Sequence, residues 1–281
     1  MATISNSGSV ATRHPWRPPP FIKLSAWWHA AGAIMLIGLP AWWPWVLGAL
    51  AANHVVLIAA VLWPRGRLIG ANVTRLPAAA AARDEICLTF DDGPDPRITP
   101  QVLDMLDRYA AKASFFCIGE KAAAYPDIVE AIVRRGHSVE NHTLRHPLTF
   151  AFFGMAALRR EIAAAQGALA GAAGRTPLFF RAPAGFRSPL LDPVLAALDL
   201  RYVSWTRRGY DAVSRNPVKV LQKLTRGLGA GDVLMLHDGA PVVLAVLPQL
   251  LEQLHTRGLK SVTLPAAFNH ASAPLPAAVA A

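Results

Sequence analysis

The sequence runs to 281 residues with a formal net charge of +10, and 53% of it is hydrophobic while only 16% is charged; its mean hydropathy is +0.30. That length carries one sizeable domain with additions, and the apolar excess excludes an ordinary soluble protein. Nucleic acid is not the expected partner, because residues 1–83 hold seven Lys and Arg and no acid while the remainder holds 21 basic and 18 acidic residues; the basic excess flanks an apolar segment and suits anionic lipid headgroups.

Residues 1–20 are rich in Ser, Pro and Arg and read as a disordered basic tail. Residues 21–64 read as a transmembrane helical hairpin. From 24 to 64 there is no Asp, Glu, Lys or Arg, and as helix that stretch spans ~60 Å, two crossings of a hydrocarbon core of ~30 Å. "GLPAWWPW" interrupts it with Gly38, Pro40 and Pro44, a turn between two helices. Seven of the eight Trp fall within the first 63 residues, as interfacial anchors do. A buried hairpin in a soluble core is the alternative, but the uncharged run exceeds even the ~20 residues a spanning helix needs; a cleaved signal peptide has an apolar region of only ~7–15 residues. Arg13, Arg17 and Lys23 precede the hairpin and Arg65, Arg67 and Arg75 follow it. The positive-inside rule therefore predicts a two-pass protein of a bacterial-type inner membrane with its following domain on the cytoplasmic face.

Residues 65–83 read as a linker, 84–265 as the main folded domain and 266–281 as a low-complexity tail. Within 84–265, apolar runs at 85–90, 113–118, 137–140, 178–182, 200–205, 232–237 and 259–264 predict strands. Helical segments at 100–109, 120–135, 155–170, 189–198, 217–228 and 242–257 lie between them. Such alternation predicts an α/β fold with parallel strands, an open sheet or a barrel, whose sites gather at the C-terminal ends of the strands. Cys87 and Cys117 each sit in a strand-like run and read as buried free thiols.

At the end of the first of these strands stands "LTFDDGPDP", with the adjacent carboxylates Asp91 and Asp92. Neighbours in an extended chain point opposite ways, so two roles fit better than one shared role, and a metal ion on one carboxylate eases the presence of the other. "ENHTLRHP" supplies His142 and His146, four apart; on a helical turn both imidazoles face one side, and with an Asp they make a plausible shell for a divalent ion. "FFRAPAGFRSP" ends a strand at Arg181, whose guanidinium can orient a carboxylate, and its loop amides can face an oxyanion. "LMLHDG" places His237 where a general acid could stand, and "SWTRRGYDA" holds Trp205 and Asp211.

Together, "TFDDGP", "HTLRH", "RAPAG" and "LMLHD", in this order, resemble the motifs of the polysaccharide deacetylases, the carbohydrate esterase family 4 enzymes with the chitooligosaccharide deacetylase homology domain. The resemblance implies a distorted (β/α) barrel of about seven strands and a metal-dependent hydrolase acting on an N-acylated amino sugar. It implies that Asp91 is the general base and His237 the general acid, and that Asp92, His142 and His146 hold one divalent ion, zinc foremost. Arg181 would orient Asp91, the Ala184 amide would face the oxyanion, Asp211 would tune His237, and Trp205 is a candidate substrate contact. Many relatives have Tyr where this chain has Ala184, and "WTRRGYDA" is closer to the branch of membrane-associated deformylases of lipid-linked formamido-arabinose. The substrate is accordingly expected to be a glycan or a lipid-linked saccharide, with deformylation as the alternative reaction and a non-catalytic glycan-binding membrane protein as the alternative of another class.

Overall fold

The computed structural model describes residues 16–269, so most of the expected basic tail and low-complexity tail lies outside the described residues. Helices α1 (Pro20–Gly38) and α2 (Trp43–Val61) form a hairpin turned by a 3-10 segment, Pro40–Trp42. Pro40 and Pro44 stand at the starts of their helical segments, where a missing N–H leaves no intrahelical bond unmade. The helices meet through small and polar residues. A Cβ on Gly32 would lie 3.3 Å from both Val46 and Leu50, and Asn53 Nδ2 donates to Ser25 Oγ at 2.8 Å. Their remaining surface is apolar and uncovered, with Trp27 75% and Ile37 85% exposed. Both helices are long and apolar enough to cross a bilayer.

The rest alternates strands and helices. A single turn α3 (Ala78–Ala81) leads into β1 (Glu85–Asp91), followed by α4 (Thr99–Arg108), β2 (Ala113–Cys117), α5 (Gly119–Ala124), α6 (Pro126–Arg134), β3 (Ser138–Asn141), α7 (Met155–Ala173) and β4 (Phe179–Phe180). Then come α8 (Leu191–Ala197), β5 (Arg201–Tyr202), β6 (Arg207–Arg208), α9 (Pro217–Thr225), β7 (Val233–His237), α10 (Val243–Thr256), β8 (Lys260–Ser261) and α11 (Leu264–Asn269). The strands run in the order β5-β4-β3-β2-β1-β7-β6, with β8 beside the start of β1, and all pairs are parallel. Residues 73–76, expected as linker, fill the gap between the sheet's edges. Val73 N donates to Tyr202 O, Ser204 N to Val73 O, and Leu76 N to Gly231 O.

Every residue of β1 is buried, as in a strand covered on both faces. Ile86, Leu88 and Phe90 point outward into the main core with Leu103, Val129, Leu169 and Leu250 of the surrounding helices. Cys87 points inward and packs with Phe116, Phe179, Val203 and Val233, closed off below by Leu76 and Leu264. The same alternation turns Thr89 and then Asp91 into the barrel's upper interior. Two expectations change in detail. The segment 120–135 is two helices parted at Tyr125, since Pro126 cannot continue the preceding helix. The short strand β6 lies inside "WTRRG", where two arginines carry no strand signal.

Candidate active site

The parallel register sets the site. Asp91 is level with Phe116 on β2 and with His237 on β7, so a carboxylate and an imidazole end adjacent strands side by side. Asp91 Oδ1 accepts from Arg181 Nη1 at 2.5 Å. Arg181 is fully buried. Its Nη1 also donates to Thr89 Oγ1 at 2.9 Å, its Nη2 to Ser204 O at 2.8 Å and its Nε to Val203 O at 3.3 Å, while the guanidinium lies 4.1 Å over the Phe116 ring. A buried ion pair is tolerated when its remaining donors are met, and here each guanidinium nitrogen has an acceptor.

Asp92 turns away in the left-handed region, φ 70°. Its Oδ1 lies 3.2 Å from His142 Nε2 and 3.3 Å from His146 Nε2. One ligand atom from each of the three residues lies within 4.8 Å of the others. His142 Nδ1, 2.8 Å from Arg181 O, donates its proton there, which leaves the Nε2 lone pair facing Asp92. The two histidines do not share a helical turn. They stand on a loop with Thr143 and His146 at φ 69° and 56°, because Pro147 disfavours the helical region at the residue before it. The loop is held by Thr143 N donating to Asn141 Oδ1 and His146 N to Thr143 Oγ1, both at 2.9 Å.

Burial pushes the Asp92 carboxyl up, but the contact with His142 and the charges of His142, His146 and His237 outweigh it and hold Asp92 well below the usual carboxylate range. Burial pushes His142 down, and Asp91 and Asp92 outweigh it, so it is raised; burial and His142 together lower His146. Asp92 Oδ1 is buried without a hydrogen-bond partner. An anionic oxygen and two imidazole nitrogens converging with no aligned donor between them fit a divalent cation.

Across from them, His237 Nδ1 meets Asp211 Oδ1 at 2.9 Å and His237 N donates to Asp211 Oδ2 at 2.7 Å. Burial pushes His237 down, and Asp211 outweighs it, so it is raised. Asp92, Asp211 and His237 line a cavity of ≈ 940 Å³ with Lys121 and Pro241. Ala184 sits in the tight segment Pro183–Gly185 at φ 53°. Left-handed backbone at Asp92, His146 and Ala184 concentrates strain where functional sites often carry it. Trp205 is buried and is not part of this cavity's lining; a Cβ on Gly185 would lie 2.5 Å from its ring.

Three site residues escape a reading of the sequence. Lys121 Nζ donates to Asp92 O at 2.7 Å. Asp238 accepts from Thr99 Oγ1 at 2.6 Å, and burial pushes its carboxyl up to about 7. Gly93 is the third: a Cβ there would sit 2.2 Å from the Asp238 carboxylate. Asp238 is visible beside His237 in "LMLHDG", but its burial against Gly93 is a matter of tertiary packing.

Residues 78–203 match the polysaccharide deacetylase family model. The chain is 31% identical over 184 residues to a peptidoglycan-N-acetylglucosamine deacetylase of Bacillus cereus, covering 64% of this chain and 85% of that protein. It is 30% identical over 211 residues to a chitooligosaccharide deacetylase of Sinorhizobium fredii, covering 68% and 94%. Among solved structures, a family 4 carbohydrate esterase from Streptomyces lividans in complex with acetate superposes with a TM-score of 0.60 at 36% identity, covering 63% of this chain and 91% of that one.

Proposed function

The chain belongs to the polysaccharide deacetylase family, and on that premise we propose that it is a membrane-anchored, metal-dependent hydrolase that removes an N-acyl group, acetyl foremost, from an amino sugar in a glycan or a lipid-linked saccharide. The bond cleaved is a carbon–nitrogen bond other than a peptide bond. Residues 84–265 are the catalytic domain, and the α1–α2 hairpin is its anchor. The observation that carries the reading is the side-by-side placement of Asp91 and His237 at the ends of paired strands, with the Asp92, His142 and His146 cluster next to them.

Asp92, His142 and His146 would hold a divalent ion, zinc by its donor set. When bound, such an ion supplies Lewis acidity, bringing the pKa of water toward neutrality and polarising the acyl carbonyl. Asp91, fixed through Oδ1 by Arg181, keeps its other oxygen free to take a proton from the attacking water. The Ala184 amide would face the oxyanion that develops on the carbonyl. His237, held through Nδ1 by Asp211, directs Nε2 to protonate the departing amine. The test is release of acetate or formate from polymeric and lipid-linked substrates assayed side by side. Release from either class, dependent on added divalent metal, supports the reading; release from neither, in a chain carrying no stoichiometric metal, favours a non-catalytic glycan binder. Formate release from lipid-linked substrate alone favours the deformylase alternative.

The cytoplasmic face is the proposed side for the domain, supported by the basic residues on both flanks of the hairpin. An alkaline phosphatase fusion after Ala281 is expected to be inactive; an active fusion would place the domain on the opposite face.

A further inference from the structure

A second cavity, of ≈ 780 Å³, lies where the end of α2 meets the barrel. Trp63, Trp205 and Tyr210 form its aromatic wall, and its lining includes Arg65, Arg207, Arg208, Lys223 and Arg226 but no Asp or Glu. Arg207 is already neutralised: its Nε lies 2.5 Å from Asp232 and its other nitrogens donate to Arg226 O and Gly227 O. The other four cations are not. Arg65 reaches only a backbone carbonyl, Thr206 O at 3.2 Å. Arg208 lies 5.1 Å over Trp205 and 4.8 Å over Tyr210, and Lys223 lies 4.4 Å over Tyr210. Among the described residues none of Arg65, Arg208, Lys223 and Arg226 pairs with a carboxylate. Arg208 Nε is buried with no acceptor at all.

Like charges gathered around one cavity repel, and a buried guanidinium donor without an acceptor is an unmet hydrogen bond. Both conditions are relieved by one anion with several oxygens, and a phosphoryl group offers three acceptors to guanidinium forks and an ammonium. The position selects the source. The apolar run of α2 ends at Leu62, and Trp63 beyond it is 64% exposed. That helix end meets the barrel where Arg65 Nη1 donates to Thr206 O at 3.2 Å. With α1 and α2 in a bilayer, the cavity stands at headgroup depth. It also adjoins the active site. Tyr210 lines it, whereas the next residue, Asp211, lines the first cavity and holds His237. The Ala184 loop rests on its wall, since a Cβ on Gly185 would lie 2.5 Å from Trp205 and 3.0 Å from Pro64.

We infer that Arg65, Arg208, Lys223 and Arg226 bind the phosphoryl group of a membrane lipid beside the active site, an inference that rests on the proposed function for the membrane placement of the hairpin. The lipid is either a bulk phospholipid or a polyprenyl phosphate carrier, and the experiment separates them. The full chain in phosphatidylcholine nanodiscs is titrated, by tryptophan fluorescence, with phosphatidylglycerol in one arm, with polyprenyl monophosphate in a second and with inorganic phosphate in solution in a third. Saturable binding in either lipid arm is expected, weakened at least tenfold by Lys223→Gln with Arg226→Gln, both exposed and free of structural side-chain bonds, and also by Arg208→Gln. Saturation by phosphatidylglycerol assigns the bulk headgroup, and saturation by polyprenyl phosphate alone assigns the carrier. Unchanged binding in both variants, or no saturation by either lipid, or inorganic phosphate binding as tightly as the lipids, overturns the inference. The readout needs no turnover, so a chain that binds lipid but releases no acyl group sinks the hydrolase reading and leaves this one standing.

Discussion

Arg181 and Arg208 stand in neighbouring regions of one barrel in opposite electrostatic circumstances. Around Arg181 each guanidinium nitrogen has an acceptor and its charge is balanced by Asp91. Around Arg208 a buried nitrogen has no acceptor, and the nearby unpaired side chains are also cationic. The balanced region holds its geometry with groups of the chain itself, as a reaction centre needs if its carboxylate is to keep one orientation. The unbalanced region takes an ion from outside. Between them runs the segment 205–211, with one wall in each cavity.

Breaking the balanced side brings the largest effect. Arg181→Met removes the guanidinium and leaves the Asp91 charge buried and unpaired, which is expected to destabilise the chain by ~3–5 kcal/mol; chemical denaturation reads it, and a loss under 1 kcal/mol would deny that this pair organises the barrel's interior. Asp211→Asn acts more gently, on His237. In the proposed acid role His237 works protonated, and Asp211 raises its pKa, so the native chain is expected to keep activity to higher pH than the variant. The variant is expected to move the alkaline limb of the kcat profile toward lower pH, with a loss of roughly tenfold or more at neutral pH. An unmoved limb would remove His237 from the acid role.

The smallest effect sharpens the boundary of the site. Asp238 has its folded pKa raised by burial from 3.8 to about 7. The folded state therefore holds this proton more tightly than the unfolded chain, and the stability it lends is complete below pH 3.8 and lost as pH rises through about 7. Asp238→Asn is neutral throughout, and it is expected to narrow the difference in Tm between pH 5 and pH 8. An undiminished difference would mean that other groups carry the pH dependence.

Much of the barrel was legible in the sequence because strands such as "EICLTF" and "DVLMLH" are buried on both faces and so consist of unbroken apolar runs. The residues Asp91, Asp92, His142, His146, Arg181, Asp211 and His237 could be picked out because chemistry-bearing types stand at strand ends. What could not be read is what tertiary packing creates. The four-residue spacing of His142 and His146 suits a helical turn, but the pair stands on a loop that runs into Pro147. β6 hides in two arginines that pair with β7 but look like a solvated stretch. Trp205, a candidate substrate contact, packs beneath Gly185 and lines the second cavity. That second cavity was invisible for the plainest reason: Arg65 and Arg226 are 161 positions apart in the chain, and nothing local says that the end of α2 meets them there.

The account turns on a division of labour between adjacent carboxylates, one for the ion and one for the proton. Metal content and acyl release measured together on Asp91→Asn and Asp92→Asn test it most directly. The account predicts that Asp91→Asn keeps about one ion per chain and loses turnover by ~10²–10⁴-fold, while Asp92→Asn loses both. Full turnover in Asp91→Asn, or an undiminished metal content in Asp92→Asn, would contradict it.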